Sequence, residues 1–107
     1  MTDLEMTNLC REAIGMENPY HPGDTSMGRI QEWNEYDPLH EDAQAAALDG
    51  WLLERGTIKW YPDCFIFTPT GGTFHDATTF SHDMTKSENR RRARVECVAK
   101  IQGEHHV

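Results

Sequence analysis

The sequence predicts an α+β fold, a three-stranded, mostly antiparallel sheet packed by helices. Three observations predict it. An alanine-rich run over 38–55 has helical periodicity between a helix-starting Asp37-Pro38 and a helix-stopping Gly56. Two runs rich in β-branched and aromatic residues, 57–61 and 64–68, flank a two-residue Pro62-Asp63 turn. A last helical stretch, 86–102, follows a third strand at 74–80. At 107 residues the chain suits one domain, 1–107, built around one core.

The first helix spans 2–14. Thr2-Asp3-Leu4-Glu5 fits a capping box, and Met6, Leu9, Cys10, Ala13 and Ile14 recur at helical spacing before Gly15. Residues 15–36 read as a long loop, because Asn18-Pro19-Tyr20-His21-Pro22-Gly23-Asp24 is dense in turn formers. Ile30, Trp33 and Tyr36, three apart, pin it to the core as a helical turn or a loop. In the second helix Leu39, Ala43, Ala46, Ala47, Gly50, Trp51 and Leu53 share a broad face. Its small residues predict close approach to the sheet at Gly50. Ala45, Leu48 and Leu52 form a narrow apolar stripe on the other side, beside Glu41 and Asp49. That stripe is either covered within the monomer, by the first helix or the long loop, or open as a contact for a partner or a second copy.

Strand 64–68 is apolar on both faces, which predicts a central strand covered on each side. Thr70-Gly71-Gly72-Thr73 turns the chain into the third strand. Thr85-Lys86-Ser87-Glu88 resembles a second capping box, Gly103 ends the last helix, and 103–107 is a loose tail. Trp51, Trp60, Phe65, Ile66 and Phe67 are the expected core.

Charge divides the chain. Residues 1–54 hold twelve acids against Arg11 and Arg29, a net of −10, and residues 55–107 hold six acids against eight bases, a net of +2. An acidic half is a poor start for a phosphate-backbone binder and suits a partner with a basic surface. No apolar run is long enough for a membrane span, and the acidic opening predicts no secretory leader. Three cysteines without a Cys-x-x-Cys fit a reducing compartment, hence a cytoplasmic protein.

The chemistry-bearing clusters are weak. His75, His82, Cys64, His40 and Cys97 are metal-ligand types without paired spacing, so no metal is expected. His75-Asp76 and His82-Asp83 are His-Asp pairs without a recognisable nucleophile, so no catalytic residue and no cofactor is assigned. Thr70-Gly71-Gly72-Thr73 leads into a strand and reads as a turn, not a phosphate loop. Arg90, Arg91, Arg92 and Arg94 are the basic feature, and Glu88 and Glu96 stand four residues either side of Arg92 as pairing partners. The partner-binding candidates are Glu32, Glu35, Asp37, Glu41 and Asp42, with Ala45, Leu48 and Leu52 if their stripe is open.

The order of elements resembles the phage ABA sandwich domain family. The likeness rests on Leu9-Cys10-Arg11-Glu12-Ala13-Ile14-Gly15, Tyr20-His21-Pro22, the 42–56 helix, the aromatic hairpin and Arg91-Arg92-Ala93-Arg94-Val95-Glu96-Cys97-Val98. It implies an α-β-α sandwich and a phage or prophage protein expressed in the host cytoplasm, with no catalytic residues to carry over. The expected function is binding to a host or phage protein, including inhibition of an antiviral defence such as CRISPR. The alternatives are a structural or packaging accessory protein of the phage, or a small metal- or nucleotide-binding enzyme using His75, Asp76, His82 and the arginine cluster.

Overall fold

The computed structural model describes residues 1–16, 19, 27–72 and 74–104, with backbone alone at 27–29 and 74. Helix α1 (Asp3–Ala13) starts where Thr2 Oγ1 accepts the Glu5 N–H at 3.1 Å, and it stops at Gly15, whose φ of +83° is a left-handed conformation that suits glycine. The expected 15–36 loop contains a second helix, α2 (Met27–Glu35). Ile30 and Trp33 lie on it, and Tyr36 follows it into the core. The three-residue spacing was thus a full helix; the turn-forming run before it concealed the start. That run, apart from the buried Pro19, lies outside the described residues.

Helix α3 (Asp42–Leu53) begins a turn later than Asp37-Pro38 predicts. Residues 38–40 form a separate turn in which Asp37 O accepts from His40 N and Glu41 N, while the Asp37 carboxylate holds His40 Nδ1 at 2.9 Å. With that carboxylate engaged by a ring, the helix starts behind Glu41 without a side-chain cap. Gly56 opens strand β1 (Gly56–Tyr61) instead of ending the helix in a left-handed turn. A Cβ there would stand 2.2 Å from Thr68 O and 2.8 Å from Phe67 Cζ, so glycine is required by space.

Strand β1 pairs antiparallel with β2 (Cys64–Pro69) across the Pro62-Asp63 turn. β2 is central and pairs antiparallel with β3 (Thr78–Ser81). The third strand is shorter than 74–80, because Phe74–Asp76 is a 3-10 turn after Gly71 (φ +78°). His82 N and Met84 N then donate to Asp63 O and Pro62 O, which wraps the exit of β3 around the first hairpin. Helix α4 (Ser87–Glu104) closes the described chain. Thr85 does not cap it: its N–H and hydroxyl both go to the Asp83 carboxylate. Gly103 continues the helix beside Leu9, so residues 103–104 of the expected tail are helical, and 105–107 lie outside the described residues.

The architecture is α+β, a three-stranded antiparallel sheet packed by helices. α3 and α4 contact β1 and β2, and α1 packs on α4. The sheet face toward them carries an aromatic row set by register, Trp60–Phe65–Phe80, with ring centroids 4.4 and 6.0 Å apart. α4 buries Ala93, Val95, Cys97, Val98 and Ala99, the near-continuous burial of a helix enclosed on several sides. The other sheet face differs from the two-sided cover expected for β2. There Thr57, Lys59 and Tyr61 are exposed and Ile66 is half-buried, so the described helices cover one face.

α3 is turned relative to the predicted packing face. Ala45, Leu48 and Leu52 are fully buried with Trp51, whereas Ala43, Ala46, Ala47, Gly50 and Leu53 are exposed. Both faces are apolar, and burial is decided by area: a leucine removes several methyl and methylene groups from water, an alanine one. Gly50 therefore faces open space: among the described residues no other part of the fold lies within 4 Å of a Cβ built there.

Candidate protein-binding surface

The arginine cluster is spent within the fold. Arg94 Nε and Nη2 donate to the two Asp49 oxygens at 2.8 and 3.1 Å, and its guanidinium lies 4.8 Å from the Trp60 ring centroid. Arg91 donates to Leu39 O at 2.8 Å and to Asp42 at 2.6 Å. Arg92 forms a two-pronged pair with Asp3 at 3.1 Å and reaches Glu96 at 3.6 Å; the Asp3 hydrogen bonds hold its pKa above the ordinary arginine value. Arg90 donates to Met84 O and Ser87 Oγ. Of the two pairs expected for Arg92, the one with Glu96 forms, and Asp3 from α1 takes the other side. The basic face of α4 thus holds α1 and α3 through their acids, joining the acidic half of the chain to the basic half.

A second anchor positions α2. The buried Arg11 guanidinium donates to Trp33 O at 3.1 and 2.7 Å, to Tyr36 O at 3.3 Å and to Asn8 Oδ1 at 2.7 Å, and it stacks 4.6 Å from the Trp33 ring centroid. These carbonyls stand at the end of α2, where a helix leaves acceptors unsatisfied and favours positive charge. Gln44 completes the joint: its amide nitrogen donates to Glu35 O at 3.3 Å and its oxygen accepts the Asp37 N–H. The end of α2 is thereby fixed against the first turns of α3. Sequence reasoning missed both residues. The available signal for Arg11 was a rare base beside the apolar stripe of α1; Gln44 gave none.

On this joint stand the predicted acids. Glu32, Glu35, Glu41 and Asp42 are exposed and Asp37 is partly so. Glu35 accepts from Gln31, Asp37 from His40 and Asp42 from Arg91, and each of these contacts lies on an exposed surface. Ala45, Leu48 and Leu52, the other predicted contact residues, are fully buried and cannot meet a partner. A small polar notch of about 150 Å³ adjoins the acids, lined by Leu39, His40, Glu88, Asn89, Arg91 and Arg92.

The remaining chemistry-bearing residues are dispersed. His75 and Asp76 occupy the 3-10 turn, Cys64 starts β2, and His82 follows β3 with Asp83, whose carboxyl is held below its ordinary pKa by the Thr85 hydrogen bonds. Burial raises the Cys10 and Cys97 thiols to about 12. Among the described residues, no three His, Cys, Asp or Glu side chains gather as a metal site.

No protein-family model, curated protein or solved structure matches the chain. No helix among the described residues is long and apolar enough to cross a membrane.

Proposed function

We propose that the chain acts by protein–protein binding, presenting Glu32, Glu35, Asp37, Glu41 and Asp42 to a basic surface of a partner. The observation that carries this reading is the division of charge: Arg91, Arg92 and Arg94 are paired with Asp42, Asp3 and Asp49 within the fold, while Glu32, Glu35, Asp37 and Glu41 stand at the surface outside those pairs and Asp42 keeps 76% of its side chain exposed. The same pairing weighs against a phosphate-backbone partner, which needs available cations. The anchors at Arg11 and Gln44 favour a fixed surface, which lowers the ordering cost of docking. With the likeness to the phage ABA sandwich domain, the finer reading is a phage-type accessory protein in the host cytoplasm that occupies a host protein, including one of antiviral defence.

Affinity capture from bacterial host lysate, using the full chain, tests the reading. The partner should elute as salt rises, and a Glu32→Lys/Glu35→Lys/Glu41→Lys variant with an unchanged circular-dichroism spectrum should not retain it. Equal retention by both proteins, independent of salt, would overturn it.

A further inference from the structure

The geometry points to a second site: the sheet face that the described helices leave uncovered binds a small amphipathic carboxylate, with Lys59 holding the acid group and Ile66, Tyr61 and Ala77 the apolar body. The register places Lys59, Ile66 and Thr79 in one row across the three strands, with Thr57–Thr68 on one side and Tyr61–Cys64–Ser81 on the other. Lys59, Tyr61, Ile66, Thr68, Ala77 and Thr79 line a basin of about 410 Å³. That volume lies within the span of small-ligand sites, roughly 300–1,000 Å³, whose usual lining is apolar with a few polar groups.

Two observations select the ligand. First, charge is segregated. The chain holds 18 acids, yet none stands in the three cross-strand rows of this face. Among the described residues Lys59 has no ion-pair partner, unlike Arg91, Arg92 and Arg94 on α4. Second, the face retains apolar surface that the core does not use. Ile66 is half-buried opposite Lys59, and Tyr61 is 45% exposed. Thr68 and Thr79 also line the basin and bring hydroxyl donors for the second carboxylate oxygen. Asp63, which acts on the Cys64 thiol, and Asp76, next to Ala77, stand beyond the rows that hold Lys59 and Ile66, so a cation over an apolar floor, without an ion-pair partner among the described residues, matches a carboxylate on an aromatic or aliphatic body. A basic partner, which the acids of 32–42 would attract, is repelled here by Lys59, so this site is separate from the proposed protein-binding surface.

A nitrogen–proton correlation titration of the full chain with 4-phenylbutyrate, indole-3-acetate and octanoate tests the site, with 4-phenylbutyramide as the uncharged control. At least one carboxylate should give saturable shifts centred on Lys59, Tyr61, Ile66 and Thr79. 4-Phenylbutyrate should bind roughly two- to fivefold more tightly than the amide, the effect of a partly exposed ion pair. Lys59→Gln should remove that difference. No saturable shift with any of the three acids, shifts centred elsewhere, or equal binding of acid and amide to the native protein would each overturn the proposal. The acid–amide comparison needs no variant, so a folding defect in Lys59→Gln does not blunt it.

Discussion

Paired substitutions at Leu48 and Gly50 decide which face of α3 the core holds. The two positions stand about 200° apart around a helix, at about 100° per residue. Leu48 is 0% exposed inside the core cluster, so Leu48→Ala removes a fully buried side chain and should cost about 2–5 kcal/mol. Gly50 is exposed with open space around it, so Gly50→Ala adds a methyl without a clash and should stabilise the helix by about 0.5–1 kcal/mol. Near this chain length each kcal/mol moves the melting temperature by about 4 °C, so roughly 8–20 °C down and 2–4 °C up are expected. Thermal unfolding followed by circular dichroism reads both. A destabilising Gly50→Ala together with a neutral Leu48→Ala would mean that α3 is turned by about half a revolution, with its alanine face against the sheet.

Other substitutions test the inward pairing and the buried polar groups. Asp49→Ala should cost about 1.5–3 kcal/mol by stranding the half-buried Arg94, and a cycle with Arg94→Met should show coupling of at least about 1 kcal/mol; strictly additive effects would contradict the pairing. Among the described residues the buried Tyr36 hydroxyl has no hydrogen-bond partner, so Tyr36→Phe should be neutral or stabilising in chemical denaturation, and a loss above about 1 kcal/mol would show an interaction absent among those residues. Cys10 and Cys97 stay protonated up to about pH 12 when folded but ionise from about 9 when unfolded, so the unfolded chain binds fewer protons between those values. Their stabilising contribution is complete below about pH 9 and falls as pH rises toward 12; a Cys10→Ala/Cys97→Ala variant should show a shallower decline, and an equally steep one would refute the thiol assignment.

Much of the fold was legible in the sequence because local signals and tertiary packing agree there. The Thr2 cap and Gly15 bound α1, Pro62-Asp63 lies between two runs with strong strand preference, and β2 is central as its apolar character implied. The errors fall where one local pattern serves two outcomes. Asp37-Pro38 is a good helix start, yet Asp37 binds His40 and the chain makes a turn before α3. Apolar residues encircle α3, so periodicity alone cannot choose between the alanine face and the Leu48–Leu52 face. The candidate surface divides on that same ambiguity: the five acids are at the surface, while Ala45, Leu48 and Leu52 are in the core. What fixes the acids in place, Arg11 on the α2 carbonyls and Gln44 across the α2–α3 joint, depends on contacts 22 and 9 residues apart, which no local window contains.

The most direct test of the binding reading compares two variants of equal net charge against the partner captured by the native chain. One is Glu32→Gln/Glu35→Gln/Asp37→Asn/Glu41→Gln; the other is Glu5→Gln/Glu54→Gln/Asp63→Asn/Glu104→Gln, four exposed acids outside the joint. Association rates measured by surface plasmon resonance at two salt concentrations separate local charge from overall charge. The first variant should associate more slowly with a weaker salt dependence, and the second should stay close to the native chain. Equal slowing of both would show that net charge alone steers the encounter and would contradict a binding surface at the α2–α3 joint.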